Sequence, residues 1–420
     1  MKVLLVGSGG REHALAKALL ADPKLEELHV APGNPGIAEL APCYAIDTDD
    51  NSLVVALAQQ LDVDLVVIGP EKPLVNGLSD ALRKVGIPVF GPSQSAAQLE
   101  GSKDFAKQVM NDAGVPTAHS FTCSSKSQIL AALDSFGAPY VVKHDGLAAG
   151  KGVVVTDDRQ VATDHAFLSP RVVIEEYLDG PEISLFGISD GTHVIAMQPA
   201  QDFKRALDGD LGLNTGGMGA YSPLPWAPTE IMEETLEQVL RPTIAEMKAR
   251  GTPFVGLLYA GLALTKNGIR VIEFNARFGD PETQVLLPRL ATPLASLLYA
   301  AATGGLEEHP SLKWRDEAAV NVVLAASGYP EAPIVGDPIT GVSTVTEVTH
   351  ATVYQAGTKL HDNVLCSNGG RVLSVTGIGA DLAEARSAAY EAISRIGLAG
   401  SHYRSDIALA ASTTEKIREN

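Results

Sequence analysis

The chain is poor in cysteine, in basic charge and in long apolar runs, and each shortage excludes a class of protein. Only Cys43, Cys123 and Cys366 occur in 420 residues, far apart and without metal-ligand spacing, so the chain is neither stapled by disulfides nor built round a zinc site. Lysine and arginine total 32 against 50 aspartates and glutamates, a formal net charge of −18. Nucleic acids and anionic membranes both demand clustered basic charge, so neither is an expected partner. No segment approaches the roughly 20 uninterrupted apolar residues of a membrane span, and the opening run Met1–Gly7 is too short for a signal peptide before it meets a glycine turn. The expectation is a soluble, cytoplasmic protein. Repeats and low-complexity tracts are absent too. An acidic chain that binds phosphate must use local backbone N–H groups and a few placed cations.

A single core rarely grows past about 250–300 residues, so this length implies two to four domains. Short runs at Val3–Val6, Glu27–Val30, Leu65–Ile68 and Pro88–Phe90 alternate with helical stretches at Glu12–Leu20, Ser52–Gln60 and Leu74–Val85. Such alternation predicts a parallel α/β domain over 1–101. Residues 102–315 form a second region, with a small αβ unit at about 119–183, strands at Ile183–Ile188, His193–Gln198, Gly256–Leu264 and Arg270–Phe274, and a long helix at Glu230–Ala249. Residues 316–420 change character to an α+β pattern: strands at Ala319–Ala326, Thr344–Val348, Ala351–Ala356 and Arg371–Gly377, closed by a helix at Leu382–Ile396. Asp381 and Glu384 have capping-box-like spacing at the start of that helix.

The most informative segment is Val271–Thr283. Val271–Asn275 reads as a strand, whose side chains alternate faces, so Glu273 and Asn275 project together. Both supply hard oxygen ligands, and Mg²⁺ beside a nucleotide takes only one or two such groups. Arg277 follows on the turn, able to grip a carboxylate or phosphoryl group at two points. A solvated Glu with a capping Asn explains the segment equally well when it is taken alone.

Val141–Val155 is a strand, a glycine-rich loop and a strand. Gly146, Gly150 and Gly152, with two alanines, let the backbone lie over a triphosphate, while Lys143 in the first strand and Lys151 in the loop supply cations. The order differs from a Walker loop. A hairpin with a flexible tip is the alternative, but a strand lysine among apolar neighbours needs an anionic partner. Val172–Glu182 can offer backbone edges to an adenine near Glu175, Tyr177 and Leu178, with Glu182 for ribose hydroxyls, or be only an edge strand and turn. Gly7–His13 follows the first strand as a dinucleotide fingerprint would, but Glu12 stands where the third glycine belongs, and Ala31–Asn34 lacks an acid for a cofactor ribose. The glycine-lined helix start at Gly9, Gly10 and Arg11 still favours an anion such as a sugar phosphate. Pro70 and Glu71 follow the third strand at the same ligand-gathering edge. Asn214, Thr215, Gly216, Gly217 and Met218 make a nest of N–H donors suited to an oxyanion or phosphoryl group. Lys204 and Arg205 have the default reading of a solvated pair.

Taken together these segments resemble the phosphoribosylamine–glycine ligases, or glycinamide ribonucleotide synthetases, of the ATP-grasp superfamily. The resemblance runs in order through Gly7–Ala14, Ala31–Asn34, Gly69–Glu71, Leu99–Lys103, Asp145–Gly152, Asn214–Pro223, Glu273–Thr283, Ser327–Pro330 and Asn368–Leu373. Phe203 stands where the family usually has His, Leu213 replaces a common Pro, and His144 a common Ala. The resemblance implies an ATP-grasp fold with a small lid subdomain and a mostly antiparallel C-terminal domain. It implies a monomer that joins glycine to 5-phosphoribosylamine with ATP, through glycyl phosphate. Glu273 and Asn275 would then hold Mg²⁺ (or Mn²⁺), and Lys103 and Lys143 the ATP phosphates. Arg277, helped by Asn214 and Gly216, would hold the glycine carboxylate; Asp202 would lie near the amines; and the 146–152 loop would close to exclude water. Two rivals stand beside this: a sibling ATP-grasp ligase acting on bicarbonate or formate, and a nucleotide sensor without turnover.

Overall fold

The computed structural model describes residues 1–147, 152–347 and 350–418. The expected α/β, α+β architecture is present. At the N-terminus β1 (Lys2–Gly7), β2 (Glu27–Pro32), β3 (Leu65–Ile68) and β4 (Val89–Phe90) form a parallel sheet in the order β2-β1-β3-β4. Both faces are covered, which is why these strands read as unbroken apolar runs. Leu4, Val6, Val66 and Ile68 pack on one side, Val3, Leu5, Leu65 and Phe90 on the other. The second core continues without a break into the central region through Phe186, Tyr259 and the helix Leu294–Thr303.

The lid unit is an antiparallel sheet, β5 (Ser120–Cys123), β6 (Tyr140–His144), β7 (Val153–Thr156) and β8 (Val172–Glu175), ordered β5-β8-β6-β7 with its own core round Leu133, Val142 and Ile174. The central sheet, β10-β9-β15-β16, comprises β9 (Glu182–Asp190), β10 (Val194–Ala196), β15 (Val255–Thr265) and β16 (Gly268–Asn275). Between β10 and β15 run β11 (Gln201–Asp202), a hairpin of β12 (Arg205–Leu207) with β13 (Leu211–Asn214), and β14 (Gly219–Ser222). β11 and β14 do not join the central sheet. β14 pairs with β17 (Ala318–Ala325) and β11 with β14, so the C-terminal sheet is ordered β11-β14-β17-β21-β18, where β18 is Ala351–Gln355 and β21, after the hairpin β19 (Thr358–His361) and β20 (Val364–Ser367), is Arg371–Gly379. The helix Leu382–Ser394 closes this sheet; Asp381 Oδ1 accepts from Glu384 N at 2.7 Å, and Glu384 reaches back to Ala380 N at 3.0 Å.

Three local expectations are corrected. Leu74–Val85 is two helices, Glu71–Val75 and Leu78–Lys84, because Gly77 takes φ +83 between them. The helix over 231–249 contains a π segment, Leu236–Leu240, ending two residues before Pro242, which has no N–H to continue the regular ladder. The strand expected at Thr344–Val348 is not found over Thr344–Glu347, and Val348 lies outside the described residues: Val342–Glu347 is 3₁₀-helical, held by the Thr344 hydroxyl donating to Gly341 O at 2.7 Å. No helix among the described residues is long and apolar enough to cross a membrane.

Candidate active site

The site is built on the end of β16. A bulge falls at Ile272, where the register with β15 shifts, and Glu273 and Asn275 follow on one strand face. The Ile272 carbonyl accepts from Lys143 Nζ at 2.8 Å, tying β6 of the lid unit to β16. Burial alone would raise the Glu273 carboxyl, but Lys204, Lys143, Lys103 and Arg277 together hold it below the ordinary range. Four cations from four separate segments thus bear on one carboxylate. Lys103 stands at the start of the helix Lys103–Asp112 and donates from Nζ to Gly146 O at 3.0 Å. Asp145 caps the same helix, accepting from Ser102 Oγ at 3.0 Å and Lys103 N at 2.7 Å, so Asp145 and Gly146, where the loop begins, are docked on the helix that carries Lys103. Gly150 and Lys151 lie outside the described residues; Gly146 takes φ +129 with open space where a side chain would stand.

Arg277 sits among acids. Its Nη2 is 3.1 Å from Glu100 Oε1 and its Nε 3.4 Å from Glu71 Oε2, while Nη1 donates to Phe278 O at 3.2 Å. Burial lifts the Glu100 carboxyl, Arg277 opposes, and Glu71 adds to the rise. Arg277 Nε is buried without a hydrogen-bond partner among the described residues.

Beside Glu273 lies a second cluster. Lys204 Nζ donates to Glu182 Oε2 at 2.7 Å. Burial pushes the Asp202 carboxyl up to about 7, with Glu282, Glu182 and Glu273 acting the same way and Lys204 opposing. Glu282 is buried and accepts from Tyr259 Oη at 2.7 Å and Ser184 Oγ at 3.2 Å.

Several expectations change in detail. The Glu175 side chain is taken up by two lysines: its two oxygens meet Lys107 Nζ at 3.2 Å and Lys143 Nζ at 2.8 Å. Tyr177 and Leu178 follow on an extended segment whose N–H groups have no hydrogen-bond partner among the described residues. Glu182 is paired with Lys204 instead of standing free. Lys204 and Arg205 part company, Lys204 turning into the site and Arg205 bonding Gly212 O at 2.9 Å within its hairpin.

The expected N–H nest is closed. Thr215 N donates to Lys204 O, Gly216 N to Tyr329 Oη, Gly217 N to Thr215 Oγ1 and Met218 N to Phe203 O, leaving no open row of donors. Asn214 pairs with Arg205 across the hairpin. Glycine is required at 217, where φ is +108 and a Cβ would lie 2.5 Å from Pro281 Cδ. Phe203, in place of His, packs under Arg404, whose guanidinium is 4.8 Å from the ring centre.

At the first helix, Glu12 takes the role an anion would have filled. Its Oε2 accepts from Gly9 N at 2.6 Å, and a Cβ on Gly69 would meet its Oε1 at 2.0 Å. Arg11 has two protein partners among the described residues. Its Nε pairs with Glu12 at 2.6 Å, and its Nη1 donates at 3.1 Å to Phe278 O, the carbonyl Arg277 also uses. Pro70 caps the helix that begins at Glu71.

A cavity of about 260 Å³ opens where the three regions meet, lined by Ser8 and Gly9, by Asp280, and by Ala356, Gly357, Arg371 and Ser374. Arg371 donates to Gly216 O at 2.6 Å and Asp280 O at 2.7 Å, and its Nη2 is 3.1 Å from Asp280 Oδ2.

Sequence reasoning named neither Lys107, Glu100, Lys204, Glu282 nor Arg371 as site groups. Lys107 had a usable signal: it lies four residues after Lys103, on the same helix face.

Family models described as phosphoribosylglycinamide synthetase match over the N domain at residues 1–100, the ATP-grasp (A) domain at 101–283 and the C domain at 319–410. A phosphoribosylamine–glycine ligase of Streptomyces coelicolor is 62% identical over 413 residues, 98% of this chain and 99% of that protein. One from Mycobacterium leprae is 54% identical, covering 98% of each chain. The crystal structure of the Thermotoga maritima phosphoribosylamine–glycine ligase is 31% identical with a TM-score of 0.82, covering 97% of this chain and 100% of that one. The biotin carboxylase domain of a Hydrogenobacter thermophilus 2-oxoglutarate carboxylase shares the fold alone, at 16% identity and a TM-score of 0.70 over 96% of this chain and 91% of that one. With every region matched in order and a relative this similar over its full length, the chain belongs to the phosphoribosylglycinamide synthetase family and is an ATP-grasp ligase.

Proposed function

We propose that this protein ligates glycine to 5-phosphoribosylamine with ATP, giving glycinamide ribonucleotide, ADP and phosphate for purine biosynthesis, as a cytoplasmic monomer. A carboxylate does not react with an amine at neutral pH, because its leaving group is oxide. Transfer of the ATP γ-phosphoryl group to a glycine oxygen makes glycyl phosphate; the amine of phosphoribosylamine then attacks the carbonyl carbon and phosphate departs. Such a transfer needs positioning and charge neutralisation more than a protein base. The observation that carries the reading is the convergence of Lys103, Lys143, Lys204 and Arg277 on Glu273.

Lys103 and Lys143 serve the ATP phosphates, with the backbone of Tyr177 and Leu178 open to the adenine. Glu273, held ionised, and the Asn275 amide oxygen fit Mg²⁺ (or Mn²⁺), as two hard oxygens on one strand face suit a metal carried in by a nucleotide. That metal would neutralise charge between the phosphates. Arg277 has an Nε that makes an ion-pair contact with Glu71 at 3.4 Å but no hydrogen bond among the described residues, leaving it able to meet the glycine carboxylate, with Glu100 holding the other edge of the guanidinium. Asp202 and Glu282 are acids placed to receive an amine. The cavity bordered by Gly9 and Arg371 suits phosphoribosylamine, with Arg371 as the cation for its phosphate.

ADP release is expected only when glycine and phosphoribosylamine are both supplied. Release driven by bicarbonate or formate would favour a sibling ligase, and ATP binding without ADP production would favour a sensor. Within the same assay, Arg371→Ala is expected to raise KM for phosphoribosylamine by roughly a hundredfold while leaving KM for ATP near its starting value. An unchanged KM for phosphoribosylamine would remove Arg371 from that role.

A further inference from the structure

Lys107 is a buried ammonium that the proposed chemistry does not use. It lies one turn beyond Lys103 on the helix Lys103–Asp112 and is 5% exposed. Its three N–H donors have three partners: Thr117 Oγ1 at 2.8 Å, Ala118 O at 3.0 Å and Glu175 Oε1 at 3.2 Å. Thr117 in turn donates to Val271 O at 2.6 Å, on the strand that carries Glu273. Glu175 is 3% exposed, and its other oxygen meets Lys143 Nζ at 2.8 Å. Lys143 has two protein partners among the described residues, Glu175 and Ile272 O, which leaves one of its three donors without a partner among those residues. The two lysines therefore differ: Lys107 is fixed on all sides, whereas Lys143 can redirect its charge.

A buried carboxylate that loses its sole cation is strongly destabilised. If Glu175 had Lys143 alone, turning Lys143 toward a triphosphate would strand that carboxylate, and the pair would resist nucleotide. We infer that Lys107 is a positioning residue for ATP: a resident counter-cation that keeps Glu175 paired while Lys143 turns its ammonium to the phosphates. Burial draws the Lys107 ammonium down to about 8, against the pull of Glu175, in keeping with a cation retained for its partner's sake.

The inference rests on the proposed role of Lys143 at the ATP phosphates, and steady-state kinetics with ATP varied separates the two. Lys107→Met is expected to raise KM for ATP by roughly tenfold or more with kcat changed by less than about threefold, since the interaction governs nucleotide entry and not the transfer. Removing the carboxylate should abolish the effect, so Lys107→Met/Glu175→Gln should show the KM for ATP of Glu175→Gln alone. The double variant also covers the case in which Lys107→Met fails to fold, because it leaves no stranded carboxylate. A Lys107→Met enzyme with unchanged KM for ATP, or a double variant no better than Lys107→Met, overturns the inference. If Lys143→Met leaves ATP use intact, the nucleotide reading itself fails, whatever Lys107 does.

Discussion

Lys143→Met is expected to lower kcat/KM for ATP by about three orders of magnitude while the protein keeps its thermal melting profile. Preorganised cations facing a transferring phosphoryl group are worth roughly 10²–10³ each when water is excluded, because they need no reorganisation as charge develops. The side chain is 3% exposed, so its charge acts at short range and is little screened. Folding survives because Glu175 still has Lys107 at 3.2 Å, and methionine fills the space of the lysine stem. The measurement is ADP release against ATP concentration, paired with a melting curve. Activity within tenfold of the parent in a well-folded variant would show that the β6 lysine is an internal strut and not a phosphate group's partner.

Glu273→Gln is the second large effect, and it tests the metal assignment. The substitution keeps shape and removes one negative charge from the middle of four cations. Lys103, Lys143, Lys204 and Arg277 then repel one another without their common anion, and the metal loses an ionised oxygen for a neutral one. The expected result is a loss of roughly 10³ in kcat/KM for ATP together with a shift of the Mg²⁺ requirement to higher concentration. An enzyme with normal turnover and an unshifted Mg²⁺ titration would place the metal elsewhere.

The groups that could be read from the chain are those whose evidence is local. Glu273 and Asn275 share a face because strand side chains alternate, and the 3-segment pattern round Gly146 is a contiguous run of strand, loop and strand. The parallel N-terminal sheet was legible for the same reason, its apolar runs being a direct image of burial on both faces. What stayed hidden depends on partners far along the chain. Glu12 looks like a flaw in a dinucleotide motif until its carboxylate is seen on Gly9 N. The Asn214–Met218 run looks like a donor nest because its acceptors, Tyr329 Oη and the carbonyls of Phe203 and Lys204, lie outside it. Lys204 reads as surface decoration because its three acidic neighbours, Asp202, Glu182 and Glu273, come from three strands. Glu100 and Glu175 are ordinary acids in sequence, and only the half-buried arginine and the buried lysines beside them give them meaning.

The recruitment of β11 and β14 by the C-terminal sheet has a consequence for anyone wishing to divide the molecule. No cut near residue 316 yields two self-sufficient halves. The upstream fragment would carry β14 with a bared edge where β17 belongs, and the downstream fragment would begin with β17 equally unzipped, both open to self-association. Asp202 rides on β11 at the margin of that sheet and Arg371 opens β21 within it, so one slab of backbone spans the amine-facing acids and the three-way cavity. Substrate recognition and nucleotide chemistry are therefore inseparable by excision.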